Sequence, residues 1–426
     1  MKKSMAVSLI LVGVMLAALA SLAACTSAPG TPTTNTPTGA TPTETTPQTL
    51  KIGVISWLGW DTGADLINGL KVMTDMDNQN GGLLIGGKKY PIQLVSYDSG
   101  TNYMSTQNIY GNAPQDVINR LIFTDKVNFI LSDPSGVDTW LKLTEANKVV
   151  LCAASPTSPI VSANNQYSFE AGFMNNQPVA LAKWFAKAFP GKNNIVVALP
   201  DDPRGHQVAD INQRALEASV MKVTTIFYPS PSTGIPSVSD LDPLANQVIN
   251  LNPDVFMATG GLDPSVYQAV WDHGYRGQFI SQLPLSNLTK GLSNDALEGL
   301  IGITTPAEFD PPLTPTAQAF KQAYAGKYTW DSAGVQYLGV WGCLRAGLQK
   351  AASLDPAKVS AALSSGVQFE GPFGLATMVS RPDKQNNRTV DSVVAPYFYK
   401  VSGGKATNAG NFTLDEAVSN FQQFYK

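Results

Sequence analysis

From Lys51 onward, short β-branched runs alternate with longer stretches of helical period, and no other feature restricts the chain's architecture as much. Lys51–Ser56 reads as a strand, after which Leu66, Ile67, Leu70, Met73 and Met76 fall on one helix face. Strands are expected at 91–97, 127–132 and 148–153, with helices between them at 113–123 and 136–146. This is the pattern of βαβ units, whose parallel sheet needs cover on both faces. After about residue 175 the register begins again. A helix over 178–189 leads to strands at 194–199, 222–227, 254–257 and 278–281, separated by helices at 207–219, 241–251 and 265–273. Two similar doubly wound halves follow. Ligands in such sheets gather at the carboxyl ends of the strands, so facing halves would enclose a cleft. Helices at 316–327, 334–354 and 356–363 must then pack back on one half.

With 426 residues, 43% hydrophobic and 14% charged, the chain can build one large core or two of ordinary size, which excludes disorder over most of its length. Its 29 basic and 32 acidic residues give a net charge of −3. The basic residues are scattered singly, so nucleic acid is not an expected partner. Cysteines at 25, 152 and 343 form no Cys-x-x-Cys pair and no disulfide framework. Neither a metal nor another cofactor is expected.

The first residues are an address. Lys2 and Lys3 precede an apolar run from Met5 to Ala20 that ends in small residues, the order of a secretory signal. Leu22-Ala23-Ala24-Cys25 resembles the bacterial lipobox, which implies cleavage after residue 24 and lipidation of Cys25. The alternatives are an ordinary signal peptide or an uncleaved anchor. Cleavage would remove two lysines and no acid, leaving −5. Residues 25–49 are then a Thr/Pro-rich linker with nothing to bury, a stalk between membrane and folded body.

The order of segments resembles the type I periplasmic-binding fold, and within it the Leu/Ile/Val-binding family of ABC-transporter solute receptors. The resemblance rests on Lys51–Ile55 leading into Gly59–Gly69, Asn80-Gly81-Gly82, Tyr97-Asp98, Ser132–Gly136, Ser155–Pro159, Leu297–Gly302 and Phe369–Gly374, and covers about residues 50–400. It implies an α/β fold of two doubly wound parallel-sheet lobes joined by three hinge crossovers, with a ligand cleft between. Lobe I would take residues 50–172 and 306–380, lobe II residues 173–305 and 381–426. The implied function is an extracytoplasmic, lipid-anchored receptor for a small organic solute: an amino acid, an amide, or an aromatic or aliphatic carboxylate. Its partners would be that solute, ABC permease subunits and the membrane, and it would act as a monomer.

The resemblance places the solute's carboxylate on lobe I against Ser135, Ser155 and Thr157. Loops that open helix N-termini present free N–H donors, which suits an anion, although Ser135 alone would read as an N-cap. Trp57 and Trp60, in a glycine-punctuated loop, offer flat apolar area to a solute or else pack in the core. Arg204 stands where the family usually has an aromatic, and offers a guanidinium fork to a second carboxylate or simply faces solvent. For an ammonium group the matching stretches on lobe II supply Asp263, which also suits an N-cap, and Gln282, which is no acid.

No enzyme is expected. The chain has two histidines, His206 and His273, neither in a hydrolase motif, and no Gly-x-Ser-x-Gly elbow. Cys152 and Cys343 lie in apolar runs and read as buried thiols. The rival readings are a ligand sensor of the same fold feeding a signalling partner, and a lipid-anchored hydrolase.

Overall fold

The computed structural model describes residues 48–59, 61–100, 114–134, 136–201, 203–229, 238–259, 263–332 and 334–426. The expected signal, Cys25, most of the linker, Trp60 and Ser135 lie outside the described residues.

The first sheet is built from β1 (Leu50–Ser56), β4 (Ile92–Asp98), β5 (Phe129–Ser132), β6 (Val150–Ala153) and β7 (Ser168–Glu170). A small hairpin of β2 (Leu83–Ile85) and β3 (Lys88–Tyr90) precedes β4. The strand order β4-β1-β5-β6-β7 is parallel throughout. The helices α1 (Asp61–Gln79), α2 (Pro114–Asn119) and α3 (Val137–Ala146) connect these strands, and α2 continues as a π turn over Arg120–Thr124. β5 and β6 are buried along their whole length, as strands covered on both faces must be.

The second sheet starts after α4 (Asn176–Ala188). It alternates β8 (Asn194–Asp201), α5 (Pro203–Glu217), β9 (Lys222–Pro229), α6 (Val238–Leu251), β10 (Val255–Ala258), α7 (Asp263–Asp272) and β11 (Gln278–Ser281). Two short helices, α8 (Leu285–Leu288) and α9 (Asn294–Leu297), lead to β12 (Ile301–Thr304). On β8 the strand period of two assigns Ile195, Val197 and Leu199 to one apolar cluster and Val196 and Ala198 to the other, so each face of this strand has its own core. Each such aliphatic side chain, fully buried, contributes roughly 1.5–3 kcal/mol.

The chain then returns to the first sheet through α10 (Pro315–Ala325), a 3-10 turn at Val335–Leu338, α11 (Gly339–Ala351) and α12 (Pro356–Ser364). The single helix expected over 334–354 is thus a 3-10 turn followed by an α-helix that ends where Ala352 turns left-handed, at φ 48. Trp341, Cys343, Leu344 and Leu348 of α11 lie in the core of the first sheet.

Beyond α12 the structure departs from the expected all-parallel pattern. β13 (Gln368–Gly371), β14 (Gly374–Arg381) and β15 (Asn386–Val394) form an antiparallel sheet, and β16 (Tyr397–Ser402) and β17 (Lys405–Asn411) add an antiparallel edge to the second sheet. The second sheet is therefore mixed, in the order β17-β16-β12-β11-β10-β8-β9. α13 (Leu414–Phe424) closes the fold, its N-terminus held by a capping box in which Thr413 and Glu416 bond each other's backbone N–H. The chain crosses between the sheets at 171–175, at 305–314 and at 395–396, three crossovers in number as expected, with the last lying beyond the boundary expected at 380–381.

Candidate functional site

At the carboxyl ends of β1 and β5 the first sheet presents a ring of backbone donors tied to acids. Asp133, fully buried, accepts from Trp57 N and Ser56 Oγ at 2.8 Å each. Ser56 Oγ is also 3.0 Å from Gly63 O, so its one proton is shared between the two acceptors. Asp98 Oδ1 accepts from Leu58 N at 3.1 Å and Gly100 N at 3.0 Å. These bonds fix the loop after β1. Trp57 is half-buried there, and its Nε1 is buried with no hydrogen-bond partner among the described residues.

A glycine makes this loop possible. A Cβ on Gly63 would lie 2.0 Å from Trp57 O, and one on Gly205 would lie 2.0 Å from Pro200 O. In both sheets, the helix after the leading strand therefore packs on the strand's last carbonyls at a distance that excludes a side chain.

Ser155 and Thr157 follow β6 and are buried. Thr157 Oγ1 donates to Asp138 Oδ1 at 2.9 Å, and Ser155 Oγ stands 3.0 Å from Thr157 Oγ1. The structure therefore brings two expected site residues together, with a partner the sequence reading missed. Asp138 sits in the first turn of α3 and announces itself only as a helix-start acid.

On the second sheet, Gln282 follows β11 and bridges two buried groups. Its Nε2 donates to Asn212 Oδ1 at 2.6 Å, and its Oε1 accepts from Thr259 Oγ1 at 3.2 Å. Arg204 lies in the first turn of α5 and Asp263 opens α7; the contacts of these two side chains lie outside what the structure describes. His206 Nε2 is 2.9 Å from Asp201 Oδ1, and its ring lies 4.2 Å from that of Phe227. His273 follows α7 with Nδ1 2.9 Å from Ala269 O.

Around the first crossover lies a buried polar cluster. Glu170, at the end of β7, accepts from Gly172 N, Met174 N and Ser392 Oγ. Asp391 accepts from Asn175 Nδ2 at 2.8 Å and Arg381 Nη1 at 2.7 Å, and Arg381 also grips Asp383 with Nε and Nη2. The Arg381 guanidinium lies 3.9 Å from the Tyr425 ring centroid. Burial, with the Asp391 charge beside it, pushes the Glu170 carboxyl well above the usual range. A cavity of about 390 Å³ flanks this hinge between Pro156, Ser158 and Pro159 and the α5 residues His206, Asp210 and Arg214.

A second polar cluster joins α8 to the segment before the 3-10 turn. Ser286 Oγ is 2.7 Å from Ser332 Oγ and Lys290 Nζ is 2.6 Å from Asp331 Oδ2. Glu308 Oε1 accepts from Ser286 N at 2.9 Å, and burial raises the Glu308 carboxyl to about 7.

Cys152 and Cys343 are free and buried, as expected. Among the described residues, no helix is long and apolar enough to cross a membrane.

Solved structures share this architecture. The leucine binding protein LivK from Thermotoga maritima is 18% identical, with a TM-score of 0.66 over 86% of this chain and 99% of that one. A solute binding protein of an ABC transporter from Rhodopseudomonas palustris, in complex with 3,4-dihydroxybenzoic acid, is 18% identical, with a TM-score of 0.65 over 86% of this chain and 98% of its own. The branched-chain amino acid transporter substrate binding protein LivJ from Streptococcus pneumoniae, in complex with isoleucine, is 14% identical, with a TM-score of 0.64 over 86% of this chain and 99% of that one. At these identities the likeness establishes the fold. Residues 49–405 match the sequence profile of the periplasmic binding proteins, and with two sheets, three crossovers and polar loops at both sets of strand ends, the chain belongs to that family.

Proposed function

We propose that the protein is a lipid-anchored, extracytoplasmic receptor that captures a small organic solute by hinge closure and delivers it to an ABC permease. The solute class is an amino acid, an amide, or an aromatic or aliphatic carboxylate. The two lobes would divide at the three crossovers, and Cys25 would carry the lipid. One observation carries the reading. Hydroxyl, amide and aromatic side chains follow strands on both sheets, Trp57, Ser155 and Thr157 on the first and Gln282 on the second, and three crossovers connect the sheets. A solute touching both sets of loops favours the closed form by the free energy of contacts absent from the open one.

A screen of amino acids, amides and aromatic acids by thermal shift, followed by calorimetry and solution scattering on each hit, tests the proposal. A true solute raises the melting temperature, binds with measurable heat and lowers the radius of gyration. Turnover of the bound compound, or the absence of a hit with compaction, would overturn it. Anchoring is tested separately. The Cys25→Ala chain should leave the membrane fraction, because an acyl chain contributes about 0.8 kcal/mol per buried CH₂.

A further inference from the structure

We infer that Glu308 couples closure of the cleft to the uptake of one proton. Neutral, its carboxyl lets α8 rest on residues 331–332; ionised, it draws water into that contact and favours the open form. Solute capture is then tied to protonation, and release to its loss. This coupling rests on the hinge-closure reading above and adds a second ligand, the proton, to it.

Glu308 stands at a pivot of the second crossover. Its neighbour Ala307 is buried in the core of the first sheet and its other neighbour, Phe309, in a core of the second, so the chain changes sheets at this residue. The carboxyl faces both sides. Oε1 accepts from Ser286 N on α8 at 2.9 Å, and Ser286 Oγ in turn meets Ser332 Oγ at 2.7 Å and Asp331 Oδ1 at 3.3 Å. Oε2 is buried with no hydrogen-bond partner among the described residues.

The charges around the carboxyl do not make good that missing donor. Asp331 has the same sign and is paired with Lys290 at 2.6 Å. Lys321 of α10 has the opposite sign, but its Nζ donates to Phe309 O at 3.0 Å and lies 5.1 Å from the Trp330 ring centroid. Tyr399 of β16, fully buried, donates its own proton to Leu283 O at 2.8 Å. An ionised oxygen shut away from water without a donor costs far more than a neutral one. Burial accordingly raises this carboxyl to about 7.

Opening parts α8 from residues 331–332 and lets water reach Oε2, which returns the carboxyl toward its ordinary value of 4.5. Closing therefore takes a proton from solvent onto Oε2, and opening gives it back. The closed form has its full advantage below about 4.5, loses up to about tenfold per pH unit as pH rises, and levels off above about 7. By linkage, a solute that selects the closed form raises the proton affinity of Glu308 by the same factor.

Solution scattering and amide hydrogen exchange on the solute-free protein at pH 5.5 and pH 8 test the coupling. The wild-type radius of gyration should be larger at pH 8, and exchange at the Ser286 amide, corrected for the intrinsic effect of pH, should be about tenfold or more faster there. Glu308→Gln stays neutral and should hold the low-pH radius and exchange rate at both values. With a solute from the screen, wild-type affinity should be about tenfold or more weaker at pH 8 than at pH 5.5, and equal at the two in the variant. Calorimetry at pH 6 in buffers of different ionisation enthalpy should count close to one proton taken up per solute bound. That count uses the wild type alone, so it decides the matter even if Glu308→Gln fails to fold. A pH response that survives in Glu308→Gln belongs to another group, such as His206 or Glu170, and overturns the coupling. A solute that binds with compaction and no proton uptake also overturns it and leaves the receptor reading standing. A radius that responds to pH through Glu308 while no compound binds does the reverse.

Discussion

Arg381 Nη1 donates to Asp391 Oδ2 across 2.7 Å, and the two side chains are 5% and 0% exposed. Asp383 takes the other edge of the same guanidinium, and the Tyr425 ring covers its face. Arg381 ends β14, Asp391 lies on β15, and Asn175, which also bonds Asp391, sits in the first crossover, so through Asp391 one cation ties the β14–β15 pair to that crossover. Removing one partner of a buried pair strands the other. Arg381→Met should cost about 3–5 kcal/mol of unfolding free energy, measured by urea denaturation. Arg381→Lys, which keeps the charge but cannot form the fork, should recover only part of it. A loss below about 1 kcal/mol for the methionine variant would mean that the pair is a surface-like contact.

Stability should fall with rising pH because of Glu308. Its unfolded carboxyl titrates near the ordinary glutamate value of 4.5, whereas burial in the fold raises it to about 7. Between those values the native protein holds a proton that the unfolded chain has released. The native state is therefore favoured below about 4.5 and loses that advantage as pH climbs through about 7. Glu308→Gln removes the titration. The difference in unfolding free energy between wild type and variant should change by roughly 3 kcal/mol from pH 4.5 to pH 8, in favour of the variant at the higher pH. Urea curves for the two proteins that run parallel across this range would show that Glu308 ionises freely.

The alternation of strand and helix makes the two sheets legible, because each buried parallel strand is a short β-branched run: the strand expected at 278–281 is β11, and the one expected at 194–199 is β8 with two residues added. The C-terminal strands lack that signal. β17 (Lys405–Asn411) is largely exposed and owes its conformation to pairing with β16, which no period in its own residues announces. The site divides in the same way. Ser155 and Thr157 can be placed because they follow a strand, but their partner Asp138 sits on another helix, and a lone acid in a first turn reads as a dipole partner. Glu170 and Ser392, or Asn175 and Asp391, lie more than two hundred residues apart in sequence, and only the crossovers bring them together.

Gly63 and Gly205 should be intolerant of even a methyl group. At each, the added Cβ would fall 2.0 Å from a backbone carbonyl, which cannot swing aside as a side chain can. Gly63→Ala would push on the Trp57 loop and should cost about 1–3 kcal/mol of stability, with a weaker response to any solute found. Gly191→Ala is the control, since its Cβ would meet nothing within 4 Å. That substitution should be neutral or slightly stabilising in a thermal melt. Equal melting temperatures for the Gly63 and Gly191 variants would remove the steric argument.

The contacts between α8 and residues 331–332 bear on how readily the cleft opens. Leu285 and Leu288 of α8 pack in the core of the second sheet, while Trp330, just before this segment, packs against that of the first. The Ser286–Ser332 and Lys290–Asp331 bonds therefore tie the two together, and a rotation about the crossovers stretches them. Contacts made only in the closed form raise its population before any solute arrives, and solute affinity rises in proportion to that population. Ser286→Ala combined with Asp331→Asn should increase the radius of gyration of the solute-free protein and weaken solute binding, chiefly through faster release. The solute-bound radius should stay at the wild-type value. If the solute-free scattering profile is unchanged and affinity is intact, these bonds travel with the hinge and place no restraint on it.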